Sequence, residues 1–300
     1  MNLIMTAAAV CFFCLNGAMT RLFQLKMRRE RLSLYQAGFC FIAAMLNVVF
    51  YGVSALPDAR TVIMSAAFGL LFALASFLGA LCYERGPMSL TSVILNMSLA
   101  VPVLYSFAFF GEGISNPGII GLVLLCATFI LSAMSTSNGG KINAVWLVMV
   151  GVAFAANGST AVLQKLNQMN SGGQSDGFFL AFAYFISAIC FLCVFVWGKK
   201  RSGHAEERHC SGAEPKGNNL SYILKALLIT AVSGCGSFVG NAMLNILSVR
   251  MDAAVLYPCV NGGLAVLTAV VSMVFFKEKP TWLKVASIAV GAAAIVLLAI

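Results

Sequence analysis

Residues 85–112 read RGPMSLTSVILNMSLAVPVLYSFAFFGE, and residues 250–278 read RMDAAVLYPCVNGGLAVLTAVVSMVFFKE. At an offset of 165 positions Arg85 meets Arg250, Asn96 meets Asn261, Leu99-Ala100-Val101 meets Leu264-Ala265-Val266, and Phe110 meets Phe275. One extra residue in the second stretch then brings Glu112 opposite Glu278. Each stretch is an apolar helix long enough to cross a bilayer, with a cation at one end, an acid at the other and one asparagine inside. Apolar helices share Leu, Ala and Val by composition alone. Sharing Arg, Asn and Glu at matched depths points to an internal duplication.

The rest of the chain extends the match. At an offset of 141, Phe13 falls on Phe154, Asn16-Gly17 on Asn157-Gly158 and Leu22 on Leu163. At 144, Ala37 falls on Ala181, Phe41-Ile42 on Phe185-Ile186 and Ala44 on Ala188. The jump to 165 is absorbed by the one long hydrophilic segment, residues 198–221, which holds both histidines, His204 and His209.

Composition decides the class. Sixty per cent of the 300 residues are hydrophobic and only 10% charged, against about 25% charged in soluble domains. Runs of roughly 20 apolar residues recur along the chain, as in a polytopic membrane protein. We read ten spans, at about 3–22, 34–55, 61–82, 89–110, 117–134, 144–164, 177–197, 222–248, 253–276 and 281–299. A backbone in lipid must satisfy its own hydrogen bonds, and barrel-type alternation is absent, so the spans are read as helices. The polar stretch STSNGGKIN, residues 135–143, divides a first five-helix repeat (1–134) from a second (144–300). Because five is odd, the second repeat enters the membrane from the opposite side, giving an all-α fold of ten transmembrane helices in two inverted five-helix repeats.

The net charge of +9 belongs to the connections and is not a nucleic-acid signature. Sixteen of the 19 Lys and Arg residues fall in or beside loops that follow odd-numbered spans, so the positive-inside rule puts those loops in the cytoplasm and both termini outside. No basic residue precedes the first apolar run, so that run is expected to be the first span and not a cleaved signal peptide. All ten acids lie in loops or at helix ends, which argues against proton coupling through a buried carboxylate. Nine of the ten cysteines lie within spans, where they are read as small apolar fillers, and no metal or other cofactor is expected.

Polar side chains inside the spans are few and form stripes. Ser233, Ser237, Asn241 and Asn245 repeat every four residues on span eight, which sets them on one helical face. Tyr257 and Asn261 are four apart on span nine, as are their counterparts Ser92 and Asn96 on span four. Asn16 and Asn157 occupy spans one and six, and by the repeat Ser76 on span three faces the position of Asn241. Asn and Ser also serve as hydrogen-bonding glue between membrane helices. Their paired placement in both repeats favours a central cavity lined by spans one, three, four, six, eight and nine. The substrate-binding candidates are therefore Asn16, Ser76, Ser92, Asn96, Asn157, Ser237, Asn241, Asn245, Tyr257 and Asn261. Pro102 and Pro258 each free a backbone carbonyl within spans four and nine.

On these residues the chain resembles the drug/metabolite transporter superfamily, in particular its EamA-like family, over essentially its whole length. The resemblance rests on Ala80-Leu81-x-Tyr83, Pro102, Gly111-Glu112 and Gly121 in the first repeat, and on Asn261, Leu264 and Glu278 in the second. It departs where Leu267 stands for a proline, Lys277 for the glycine before the acid, and Ser287 for the later glycine. It implies transport of small polar or amphipathic solutes, such as amino acids, metabolites or drugs, in a cell membrane of the bacterial cytoplasmic type. For typical members it also implies cytoplasmic termini, opposite to the charge distribution here.

The function expected is secondary transport by alternating access, as a facilitator or exchanger, with a small molecule and the lipid bilayer as partners. Two alternatives stand beside it: flipping of a lipid-linked headgroup, and a non-transporting sensor or scaffold subunit. A membrane-embedded enzyme would need an Asp, Glu or His cluster at the interface, and none is written here.

Overall fold

The structure is a computed structural model that describes residues 2–27, 31–52, 58–85, 91, 94–111, 113, 115–134, 143–171, 176–203, 220–275 and 281–298. Nearly all of the described residues are helical, and among them there is no strand. In chain order the helices are α1 (Asn2–Lys26), α2 (Leu32–Tyr51), α3 (Ala59–Arg85), α4 (Ile94–Phe109), α5 (Asn116–Met134), α6 (Ala144–Ser171), α7 (Asp176–Gly203), α8 (Leu220–Arg250), α9 (Ala253–Val274) and α10 (Trp282–Leu298). Seven of them are long and apolar enough to cross a membrane: α1, α2, α3, α6, α7, α8 and α9. The apolar parts of α4, α5 and α10 are shorter, at Ile94–Phe109, Asn116–Leu131 and Val285–Leu298. Large apolar side chains such as Val49, Leu104, Phe107 and Leu228 face outward, as the exterior of a polytopic membrane protein does. Ser92, nearly all of the 135–143 linker and most of the 198–221 segment lie outside the described residues.

The helix ends follow from local chemistry. Asp58, Ser115 and Asn143 stand just before α3, α5 and α6, and each side chain accepts a first-turn backbone N–H, from Thr61 (3.1 Å), Gly118 (3.1 Å) and Trp146 (2.7 Å). The Thr61 hydroxyl and N–H together hold the Asp58 carboxyl below its ordinary range. Gly52 and Gly111 end α2 and α4 at φ of 67° and 64°, a backbone region that a side chain disfavours. α4 differs from the uninterrupted span expected at 89–110: it carries a 3₁₀ turn at Met97–Leu99. Pro102 lacks the N–H that would bond the Ser98 carbonyl, so the helix tightens there. Pro258, in contrast, lies inside a continuous α9.

Close packing runs mainly between the first half of the sequence and the second. α1 lies against α8 and α9, α2 against α7 and α8, α3 against α6 and α7, α4 against α6 and α9, and α5 against α10. α2 and α7 are antiparallel, with Tyr51 against Gly177 and Cys40 near Cys190. α5 and α10 are antiparallel too, with Gly121 against Ala294 and Thr128 against Gly291. α2 runs parallel to α8 (Gly38 on Thr230, Phe50 on Phe238), and α3 runs parallel to α7 (Phe68 on Phe179, Phe72 on Tyr184). Glycine permits the closest crossing. A Cβ on Gly69 would sit 2.4 Å from the Ala183 carbonyl oxygen, and the Ser187 hydroxyl bonds the Gly69 carbonyl at 2.9 Å across the same contact.

The largest apolar cluster joins α2, α7 and the end of α1, where Phe23 stacks on Tyr35 at 4.3 Å. A second joins α4, α5, α9 and α10 around Leu125, Phe129 and Leu298. Between the clusters, at the mid-height of α1, α3 and α6, the packing opens into a cavity.

Candidate functional site

The cavity holds about 190 Å³ and is lined by six helices: α1, α3, α4, α6, α8 and α9. Phe13 of α1 and Phe68 and Phe72 of α3 form an aromatic wall, while Leu99, Pro102, Leu244, Val260 and Leu264 close the apolar remainder. The polar lining comes from Ser98, Asn157, Thr160, Gln164, Asn241, Tyr257 and Asn261. The wall at α4 is tight: a Cβ on Gly158 would lie 2.4 Å from Val101 Cβ and 2.7 Å from the Ser98 carbonyl oxygen. The carbonyl that Pro102 cannot bond is thus the one against which α6 packs.

Hydrogen bonds fix the polar groups. Asn157 Nδ2 donates to Ser98 Oγ at 2.7 Å, joining α6 to α4. Asn241 Nδ2 donates to Tyr184 Oη (2.6 Å) and to the Ser237 carbonyl (3.1 Å). Asn261 Nδ2 donates to the Tyr257 carbonyl at 3.0 Å, the same reach back of four residues. Tyr257 Oη donates to the Ala161 carbonyl at 2.8 Å, pinning α9 to α6. Gln164 Nε2 donates to Asn245 Oδ1 (2.5 Å) and to the Asn241 carbonyl (3.3 Å), which ties α6 to α8 at one end of the cavity.

Of the ten candidates read from sequence, Asn157, Asn241, Tyr257 and Asn261 line the cavity. Asn16, Ser76, Asn96, Ser237 and Asn245 lie outside its lining, and Ser92 is not among the described residues. Asn16 is held in a buried network instead. It donates to Ser237 Oγ and accepts from Ser233 Oγ (3.1 Å), which in turn accepts from Tyr35 Oη (2.8 Å) beside Thr20 (3.0 Å). Asn16 and Ser237 therefore join α1 to α8, and Asn245 is turned to Gln164. α3 reaches the cavity through Phe68 and Phe72, with Ser76 one turn beyond. Asn96 is half-buried just before the 3₁₀ turn.

Sequence reading missed Gln164, Ser98, Thr160 and the three phenylalanines. Hydropathy ends the sixth span at Gln164, yet α6 continues to Ser171. The spacing of Gln164 and Gln168, four residues apart, is the signal that the helix runs on with a polar face. Lys165, also buried, holds its ammonium 5.4 Å from the Phe110 ring centre. Among the described residues no group of His, Cys, Asp or Glu side chains is placed to hold a metal ion, and nine cysteines are free thiols.

No protein-family model matches the chain, and no curated protein matches it. Among solved structures 28 chains match, and one of them, a crystal structure described only as that of a protein, aligns over 98% of this chain and 94% of its own at a TM-score of 0.72. At 14% identity this similarity speaks to the fold alone.

Proposed function

We infer that the protein is a secondary transporter that moves a small polar or amphipathic solute by alternating access. The observation that carries this reading is the mid-height cavity. Its six lining helices are the three sequence-related pairs α1/α6, α3/α8 and α4/α9, so both repeats contribute to one site. A scaffold subunit has no use for such a chamber, and 190 Å³ is small beside the roughly 300–1,000 Å³ of drug-sized pockets, which favours a small solute over a lipid-linked headgroup.

The inverted repeat read from the sequence supports the same mechanism, because two related bundles of opposite sense can rock about a shared site. The antiparallel packing of α2 on α7 and of α5 on α10 is what an inverted duplication requires. Burial agrees position by position: Ala37 and Ala181 are buried, Ala44 and Ala188 are buried, and Phe41 and Phe185 face outward at 50% and 45% exposure. The drug/metabolite transporter resemblance, with its EamA-like motifs, is consistent with this architecture, and the charge distribution favours cytoplasmic odd-numbered loops.

The test is exchange in proteoliposomes. Vesicles carrying the purified protein and loaded with a metabolite mixture should release specific components faster than protein-free vesicles when the same components are supplied outside. Equal release from both kinds of vesicle across the mixture would rule the reading out.

A further inference from the structure

We propose that the cavity recognises a small organic ammonium, a primary amine on an aromatic or branched apolar body, and discriminates against carboxylates. This rests on the transporter reading and names the class of solute that the site takes.

The argument is an accounting of donors and acceptors. A backbone carbonyl only accepts, so an amide that bonds one must turn its nitrogen toward it. That condition orients three cavity amides: Asn241 toward the Ser237 carbonyl, Asn261 toward the Tyr257 carbonyl and Gln164 toward the Asn241 carbonyl. Their oxygens are the polar atoms left for the cavity, and no described residue donates to them. Asn157 adds a fourth oxygen while its nitrogen serves Ser98.

Most of the donors are committed at the same time; the Ser98 hydroxyl proton and the second N–H of Asn157 and of Asn261 are the exceptions. Tyr257 Oη gives its proton to Ala161, Thr160 Oγ1 gives its proton to the Asn157 carbonyl (2.6 Å), and both Asn241 and Gln164 use their amide nitrogens twice. Among the described residues no Lys, Arg or His lines the cavity. A carboxylate placed here would meet four amide oxygens and the negative faces of three rings, against three free N–H or O–H groups and no cation among the described lining residues. An ammonium carries three donors for those oxygens, in the way that amide carbonyls replace a cation's hydration shell in selectivity filters. Phe13, Phe68 and Phe72 supply ring faces for the cation or for its apolar body. The volume admits a single-ring amine.

The experiment is calorimetric titration of the purified full-length protein in detergent micelles with phenethylamine, phenylalanine and phenylacetate, each against a protein-free micelle blank. The three share one ring and differ only in carrying the amine, both groups, or the acid. Saturable binding of phenethylamine is expected, with phenylalanine weaker by at least about tenfold and phenylacetate silent, because buried polar groups left unpaired penalise the wrong ligand. Asn261→Leu should weaken the amine. Asn261→Asp, close in size and bearing charge, should tighten it by about tenfold through a charge-assisted contact, an outcome that a purely structural role for Asn261 does not produce. Binding of phenylacetate or phenylalanine as tight as that of phenethylamine, no binding of any of the three, or weaker amine binding by Asn261→Asp would each overturn the proposal. Vesicles that exchange phenylalanine and not the amine would overturn the ligand class while leaving transport standing. Tight amine binding with no exchange of any solute would uphold the class and remove the transporter reading.

Discussion

The dipeptide Asn-Gly stands at the middle of α1 (Asn16-Gly17) and again at the middle of α6 (Asn157-Gly158), and its two copies have unlike surroundings. Asn16 is locked to Ser233 and Ser237 of α8, while Gly17 has no atom within 4 Å of where a Cβ would be. Asn157 lines the cavity, while Gly158 is pressed onto Val101 and the Ser98 carbonyl. The contrast grows along each helix. Phe23 and Met27 are buried near the end of α1, and their counterparts at the 141 offset, Gln164 and Gln168, are buried near the end of α6. One copy seals its end with aromatic packing, the other with amides. Where the two stretches match in sequence, the neighbour that crosses each helix decides what the matched residues do.

Substitutions can break or sharpen this contrast, and thermal-unfolding midpoints in detergent report the stability effects. Phe23→Ala should be the most damaging, at about 3 kcal/mol or more, because it empties a packed site against Tyr35. Gln164→Ala should cost less, about 1–3 kcal/mol, through the unmet acceptors on Asn245 and Asn241. Equal losses would remove the distinction between an apolar and an amide seal. Gly158→Ala comes next, at about 1–3 kcal/mol from overpacking against α4, together with weaker ligand binding as the cavity wall moves.

Asn16→Ala should lower stability by about 1 kcal/mol and leave ligand affinity unchanged, whereas Asn157→Ala should lower affinity with a smaller change in midpoint. A swap of those two outcomes would place the site on the wrong asparagine. The smallest effect belongs to Gly17→Ala, which should be neutral or stabilise by up to about 1 kcal/mol, since alanine suits a helix interior better where space is open.

The helical membrane class was legible in the hydropathy, and the six helices around the cavity were legible in the stripes. What the stripes could not convey was depth. Ser233, Ser237, Asn241 and Asn245 do share a face of α8, but that face meets α1 and α2 at the first two, Tyr184 and the cavity at the third, and α6 at the fourth. A periodicity of four fixes direction around a helix and says nothing about which neighbour crosses at each height. The phenylalanines were hidden for another reason: apolar side chains in lipid look alike in sequence whether they face a cavity, a neighbour or acyl chains. Gln164 was hidden because hydropathy ends a span where the polar residues begin, while the backbone stays helical.

The packing of first-half helices on second-half helices also governs how the chain is made. α1 finds its main partner only when α8 has left the ribosome, and α5 must wait for α10. A nascent chain that ends at residue 134 is a set of helices whose glycine-notched faces, Gly38, Gly69 and Gly121 among them, have yet to meet the helices they fit.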